Sequence, residues 1–168
     1  MGFFVRDLEK MARFYRDVLG FFQTDQGMLG PRELRFFSRN PKEHHQIVLM
    51  TGRAEDQLTT INQISFRVGS LEELRRVYGR LVEAETPELD PATHGNAWSI
   101  YFPDPEGNRI EIYTDSEWYV TQPCKVPVDL SRPAEELRAE NEAMCRELPG
   151  FKPITEWQTQ MRVMMGAA

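Results

Sequence analysis

Glu111 is a carboxylate in the middle of a run, Trp98 to Asp115 ("WSIYFPDPEGNRIEIYTD"), that otherwise reads as buried strand. Ile110, Ile112 and Tyr113 favour a pleated, half-buried surface, and Asp104-Pro105-Glu106-Gly107-Asn108 before them is a turn with Pro and Gly at its centre. Alternation places Arg109, Glu111 and Tyr113 on one face and Ile110 and Ile112 on the other. Two readings stay open on these residues alone. Glu111 either lies on a solvated face and does nothing, or is turned into a pocket where an acid can do chemistry. Tyr101, ten positions earlier on the preceding strand, and His94, in the loop "DPATHGNAWSIYF", are further chemistry-bearing types. Each also has an ordinary alternative, as a strand aromatic and as a surface histidine beside glycine.

The elements that would position these residues must be built from 168 residues, enough for one domain or for two small modules. The formal charge is −6, with Lys and Arg scattered among acids, so the basic stripe of a nucleic-acid binder is missing and nucleic-acid partners are not expected. No apolar run reaches the roughly 18 to 20 residues that span a bilayer, and the N-terminus shows no basic-then-apolar leader. A soluble, cytoplasmic protein with no membrane partner is expected. Cys124 and Cys145 have neither metal-ligand spacing nor a histidine neighbour, which argues against a disulfide scaffold or a thiolate zinc site.

The chain repeats itself. A shift of 63 positions lays Phe3, Val5, Leu8, Glu9, Arg13 and Tyr15 onto the identical residues Phe66, Val68, Leu71, Glu72, Arg76 and Tyr78. The shared pattern is a short apolar strand, an acidic turn, and an amphipathic helix ("MARFYRDVLG", "LRRVYGRLVEA"). Asp7 and Ser70 are the expected N-caps, Glu9, Glu72 and Glu73 suit the first turn, and Gly20 closes the first helix. Strands follow in "ELRFFSR" and "HHQIVLM", then in "AWSIYF" and "NRIEIY". Each half is thus βαβββ. The fold class is α+β: tandem modules, 1–60 and 61–115, pairing into one curved mixed sheet with helices outside. Residues 116–168 form a C-terminal extension whose "DLSRPAEELRAENEAMCREL" reads as a helix with Ser131 as N-cap and Pro133 in its first turn.

A tandem repeat opening "VRDLEKMARFYRDVLGF" and closing "YFPDPEGNRIEIY" resembles the vicinal oxygen chelate superfamily, which includes glyoxalase I, fosfomycin-resistance enzymes, bleomycin-binding proteins and extradiol dioxygenases. The resemblance covers about residues 1 to 115. It implies a divalent metal on the inner face of the sheet, Fe(II) in the dioxygenases and Mn, Ni or Zn in others. Glu111 matches the last-strand carboxylate ligand. The first-strand ligand of module two falls on Gln63, a neutral oxygen donor where the family usually has histidine. His45, in a phrase similar to "HHRIAL" of extradiol dioxygenases, is the third candidate ligand. The 63-residue shift maps Gln63 to position zero. The resemblance therefore implies a natural reading frame that extends upstream with histidine directly before Met1; otherwise the metal site has decayed and the metal is absent from this chain.

By the same resemblance Tyr101 matches the tyrosine that hydrogen-bonds a catecholate oxygen, and His94 the acid/base histidine. These imply a ring-cleaving extradiol dioxygenase acting on a small aromatic diol, of catechol or dihydroxybiphenyl type, with O2 as co-substrate. A glyoxalase or isomerase type of metalloenzyme, with Glu111 taking a proton, is the alternative. A metal-free protein that binds a small aromatic compound is the third. A homodimer is expected, because the apolar "WYV" at Trp118 to Val120 and the helix after it need a surface to cover them.

Overall fold

The structure, a computed structural model, describes residues 1–57 and 61–166. In chain order the elements are β1 (Gly2–Val5), α1 (Leu8–Arg13, continued by a π-helical turn over Phe14–Val18), β2 (Phe22–Leu29), β3 (Arg32–Ser38), β4 (Ile47–Thr51), β5 (Ile64–Arg67), α2 (Leu71–Glu83), β6 (Asp90–Thr93), β7 (Ala97–Pro103), β8 (Arg109–Asp115), β9 (Trp118–Tyr119), β10 (Val126–Pro127), α3 (Ala134–Arg146), β11 (Lys152–Pro153) and α4 (Ile154–Met164). The α+β class and the twofold βαβββ order are as expected. The ladders, however, form one sheet per module in place of a single sheet: β1-β4-β3-β2 and β10-β6-β7-β8-β5. Among the described residues no helix is long and apolar enough to cross a membrane.

The chain divides into two compact units. The first comprises Met1–Ile64 with Pro103–Arg109, the second Ser65–Phe102 with Ile110–Ala168. In the first unit β1 runs parallel to β4, and β3 is antiparallel to both β4 and β2. Asp7 caps α1 by accepting from the Lys10 amide, and Gly20 leaves the helix at φ +74°, a conformation that side-chain-bearing residues avoid. Leu8, Met11, Ala12 and Tyr15 are buried with Phe37, Ile47 and Leu49. The turn after β7 belongs to this unit because Glu106 anchors it. Glu106 Oε1 accepts from the Arg6 and Asp7 amides at 2.6 and 2.8 Å, and its Oε2 faces Arg53 at 3.2 Å. Asp104 closes the turn from within, accepting from the amides of Glu106 and Asn108. Burial pushes the Asp104 carboxyl above its ordinary range, against the lowering effect of its bonds to Asn108 and Glu106.

In the second unit Ser70 caps α2 through the Glu73 amide, and Leu71, Leu74, Val77 and Leu81 form its buried stripe. Each contributes about 1.5 to 3 kcal/mol of burial as an upper bound. The alternation anticipated for β8 holds, since Ile110 and Ile112 are buried on one face while Glu111 and Tyr113 share the other. Two module strands, β2 and β6, escaped the sequence reading, as did the two-residue β9, β10 and β11 of the extension. The polar β2 ("FQTDQGML") has little strand propensity of its own and is held as an edge by its ladder to β3. In β6 ("DPAT") Pro91 donates nothing, and β10 pairs only with Thr93 and Ala92 beside it.

The extension also differs from expectation. The helix starts at Ala134 with Pro133 at the N-cap position, while the Ser131 hydroxyl bonds Asp129 and caps nothing. Its buried face is Ala134, Leu137, Asn141 and Cys145. A second helix, α4, was not anticipated, because its sequence buries no residue and so lacks a strong apolar stripe. The "WYV" segment is covered by this chain itself: Tyr119 stacks on Trp157 at 5.3 Å, Trp118 meets Phe151 at 5.2 Å, and Val120 is fully buried.

Candidate functional site

Three neighbouring strands of the second sheet, β7, β8 and β5, turn their odd-numbered residues to one face, and there the polar side chains converge on Glu111. Its Oε1 accepts from the Tyr101 hydroxyl at 2.6 Å and from Ser99 Oγ at 2.9 Å. Its Oε2 accepts from Ser65 Oγ at 2.6 Å. Glu111 and Tyr101 are each only 8% exposed, so the carboxylate is held inside the protein by hydroxyl donors. The solvated-face reading of Glu111 is thereby overturned.

His94 occupies the tight turn between β6 and β7, and its Nε2 lies 2.8 Å from the Tyr101 hydroxyl. Its Nδ1 lies 2.6 Å from the carbonyl oxygen of Cys124. A carbonyl only accepts, so Nδ1 bears the hydrogen. The Tyr101 oxygen then has His94 Nε2 on one side and Glu111 Oε1 on the other, both at hydrogen-bond distance. An imidazole, a phenol and a carboxylate are thus joined in one hydrogen-bonded chain. Lys125 lies 5.1 Å from the centre of the Tyr101 ring and is paired with Asp90.

This face opens into a pocket of about 370 Å³ lined by Ser65, His94, Asn96, Tyr101, Glu111 and Tyr113. A larger one, about 590 Å³, lies in the first unit against Phe22, Lys42 and His44, but no buried acid or base converges there, and size alone does not make a reactive site. The cysteines offer no thiolate. Burial raises the Cys124 thiol above its ordinary value, and Cys145 is pushed up to about 11 by burial first and by Cys124 and Glu142 next.

His94, Tyr101 and Glu111 are thus brought together within the second unit, while the other two candidates belong to the first. His45 is exposed and precedes β4 in a loop, where its ring packs on Phe36 and His44 and its Nδ1 lies 2.9 Å from that of His44. The strand expected over "HHQIVLM" begins only at Ile47, because the two imidazoles pack on Phe36 outside the ladder. Gln63 is half-buried, one residue before β5, and belongs with His45 to the first unit. Among the described residues no three His, Cys, Asp or Glu side chains group as a metal centre. The donor set around Glu111 consists of hydroxyls directed at its oxygens, and both nitrogens of His94 are engaged. These residues do not fit a resident divalent metal.

Sequence reasoning missed Ser65 and Ser99. The signal was present: each is a lone hydroxyl in an apolar strand phrase ("ISF", "WSI"), with the strand parity of Tyr101 and Glu111. It also missed Gly95, which carries His94's turn at φ +76° and where a Cβ would meet Val120 Cγ2 at 2.5 Å and Cys145 Sγ at 3.2 Å. Gly95→Ala is therefore expected to destabilise the protein by about 3 kcal/mol, from forced left-handed backbone plus overpacking. Chemical denaturation would show it as a lowered midpoint.

A family model, the Glyoxalase/Bleomycin resistance protein/Dioxygenase superfamily, matches residues 1–112. The chain belongs to that superfamily. Among solved structures it is similar to a glyoxylase/bleomycin resistance protein/dioxygenase domain from Frankia sp. EAN1pec, at 23% identity and a TM-score of 0.60 over 69% of this chain and 89% of that one. A fosfomycin resistance protein from Listeria monocytogenes, solved with Mn(II) and sulfate, is 21% identical with a TM-score of 0.53 over 68% and 88% of the two chains. A lactoylglutathione lyase from Agrobacterium tumefaciens is 20% identical with a TM-score of 0.51 over 68% and 90%. At these identities the likeness is one of fold. The superfamily includes metalloenzymes of several chemistries, and no curated protein matches this chain.

Proposed function

We propose that this member of the superfamily is an acid–base enzyme that moves a proton on a small hydroxylated aromatic or enolic molecule, without a resident metal. The observation behind this reading is the Tyr101 hydroxyl standing 2.8 Å from His94 Nε2 and 2.6 Å from Glu111 Oε1, which joins a base, a phenol and an acid in one hydrogen-bonded chain on the pocket wall. Such a set can give its proton to a carbon of a bound enol and take one back from the enol hydroxyl. One C–H forms, one O–H breaks, the molecule leaves as its keto isomer, and the three residues regain their starting state. Tyr101 and Tyr113 offer aromatic surface, and the pocket's volume of about 370 Å³ suits a single-ring compound. A ferrous, oxygen-consuming ring cleavage would need several metal ligands, and among the described residues no three His, Cys, Asp or Glu side chains group as a metal centre.

A second reading, binding without turnover, is favoured by one specific observation: both oxygens of Glu111 already accept hydrogen bonds, so the acid can serve to shape a polar floor.

The test is solvent-deuterium exchange into phenolic and enolic ketones, followed by NMR with chelator-treated protein. Exchange above the buffer rate, insensitive to chelator and reduced about 10²- to 10⁴-fold in Tyr101→Phe, is the expected result. Loss of activity on chelation with recovery on ferrous iron would refute the metal-free mechanism. Tight binding with no exchange would leave the second reading.

A further inference from the structure

We infer that the segment Val120–Cys124, downstream of the residues the family model matches, is a working part of the site: it fixes the ring orientation and the tautomer of His94, with Gln122 as the positioning residue. The Cys124 carbonyl receives Nδ1–H at 2.6 Å, so this segment decides which nitrogen is committed to the protein and which faces Tyr101. Gln122 holds both ends of that bond. Its Nε2 donates to the His94 carbonyl at 2.8 Å, and its Oε1 accepts from the Cys124 amide at 3.0 Å.

The rest of the extension fixes the turn from behind. Asn141 Nδ2, on α3, and Ser116 Oγ both donate to the Gly95 carbonyl, at 2.9 and 2.5 Å. Asn141 Oδ1 accepts from Thr93 Oγ1 at 2.6 Å, and Asn141 is buried. The turn that carries His94 is thus bonded on both flanks to residues 116–141, while the βαβββ modules supply Tyr101 and Glu111. The functional weight of this arrangement rests on the acid–base reading above; the tautomer does not.

Gln122 is exposed, so Gln122→Met removes both hydrogen bonds at little cost to folding. The experiment is nitrogen-15 NMR of the His94 ring in the ligand-free, full-length protein, with proton-exchange turnover measured alongside. In the parent protein Nδ1 should carry hydrogen. In Gln122→Met the ring signals should shift toward a tautomer mixture, and kcat should fall on the order of tenfold to a hundredfold with KM little changed. An Nδ1 without hydrogen in the parent, or ring signals unaltered by the substitution, overturns the inference whatever turnover does. Shifted ring signals with unchanged turnover uphold the positioning and instead refute the acid–base reading.

Discussion

Glu111→Gln is expected to lower proton exchange on a bound substrate by about 10²- to 10⁴-fold while the protein stays folded. Glutamine keeps the shape of the side chain and one acceptor oxygen, so Ser99 and Tyr101 retain their partner, and its amide can donate to Ser65 Oγ. What it cannot do is take up and release a proton. The Tyr101 hydroxyl still has the glutamine oxygen to donate to, but the chain from His94 through Tyr101 no longer ends on a group that can exchange a proton. Exchanging charge-assisted hydrogen bonds for neutral ones costs about 1 to 2 kcal/mol, visible as a modest drop in the denaturation midpoint. Glu111→Ala makes the useful contrast. It strips the acceptor from three hydroxyls at once, each left at about 1 to 3 kcal/mol, and should threaten the fold itself. An active Glu111→Gln protein would sink the proposed role of the acid.

Glu106→Ala should be the most destabilising substitution outside the site, at about 3 to 5 kcal/mol, a large part of the roughly 5 to 15 kcal/mol that holds a domain folded. The Glu106 side chain is 5% exposed and lies beside Arg53, itself 10% exposed, so removing the carboxylate leaves a buried guanidinium without its counter-charge. The amides of Arg6 and Asp7, directly before α1, lose their acceptor as well. The turn at Pro103–Arg109 would be released from the unit to which it belongs. Urea denaturation followed by circular dichroism reads the loss, and a midpoint unchanged from the parent would refute this account of the turn.

The sequence by itself determined the repeat, the two helix starts at Asp7 and Ser70, and the parity of β8. These follow from interactions within a few residues: a capping side chain reaches its own first turn, and alternation along a strand is geometry that tertiary context does not change. It also supplied the type and spacing of His94, Tyr101 and Glu111. It could not tell whether Glu111 faced water or a pocket, because that depends on Ser65 and Ser99, which lie 46 and 12 positions away and meet the acid only through neighbouring strands. The identity of β2 and β6 was hidden for the same reason, since polar or Pro-containing strands are made by their ladders and not by their own propensities.

Only the tertiary structure decided that Glu106, legible as a turn residue, reaches across 100 positions to the amide of Arg6. It also decided that the extension, legible as a helix of no stated purpose, holds His94 by a backbone carbonyl. A carbonyl is present at every residue and so leaves no mark in a sequence. Which one accepts the Nδ1 hydrogen is settled only when the chain is folded, and with it which nitrogen of His94 is left to face Tyr101.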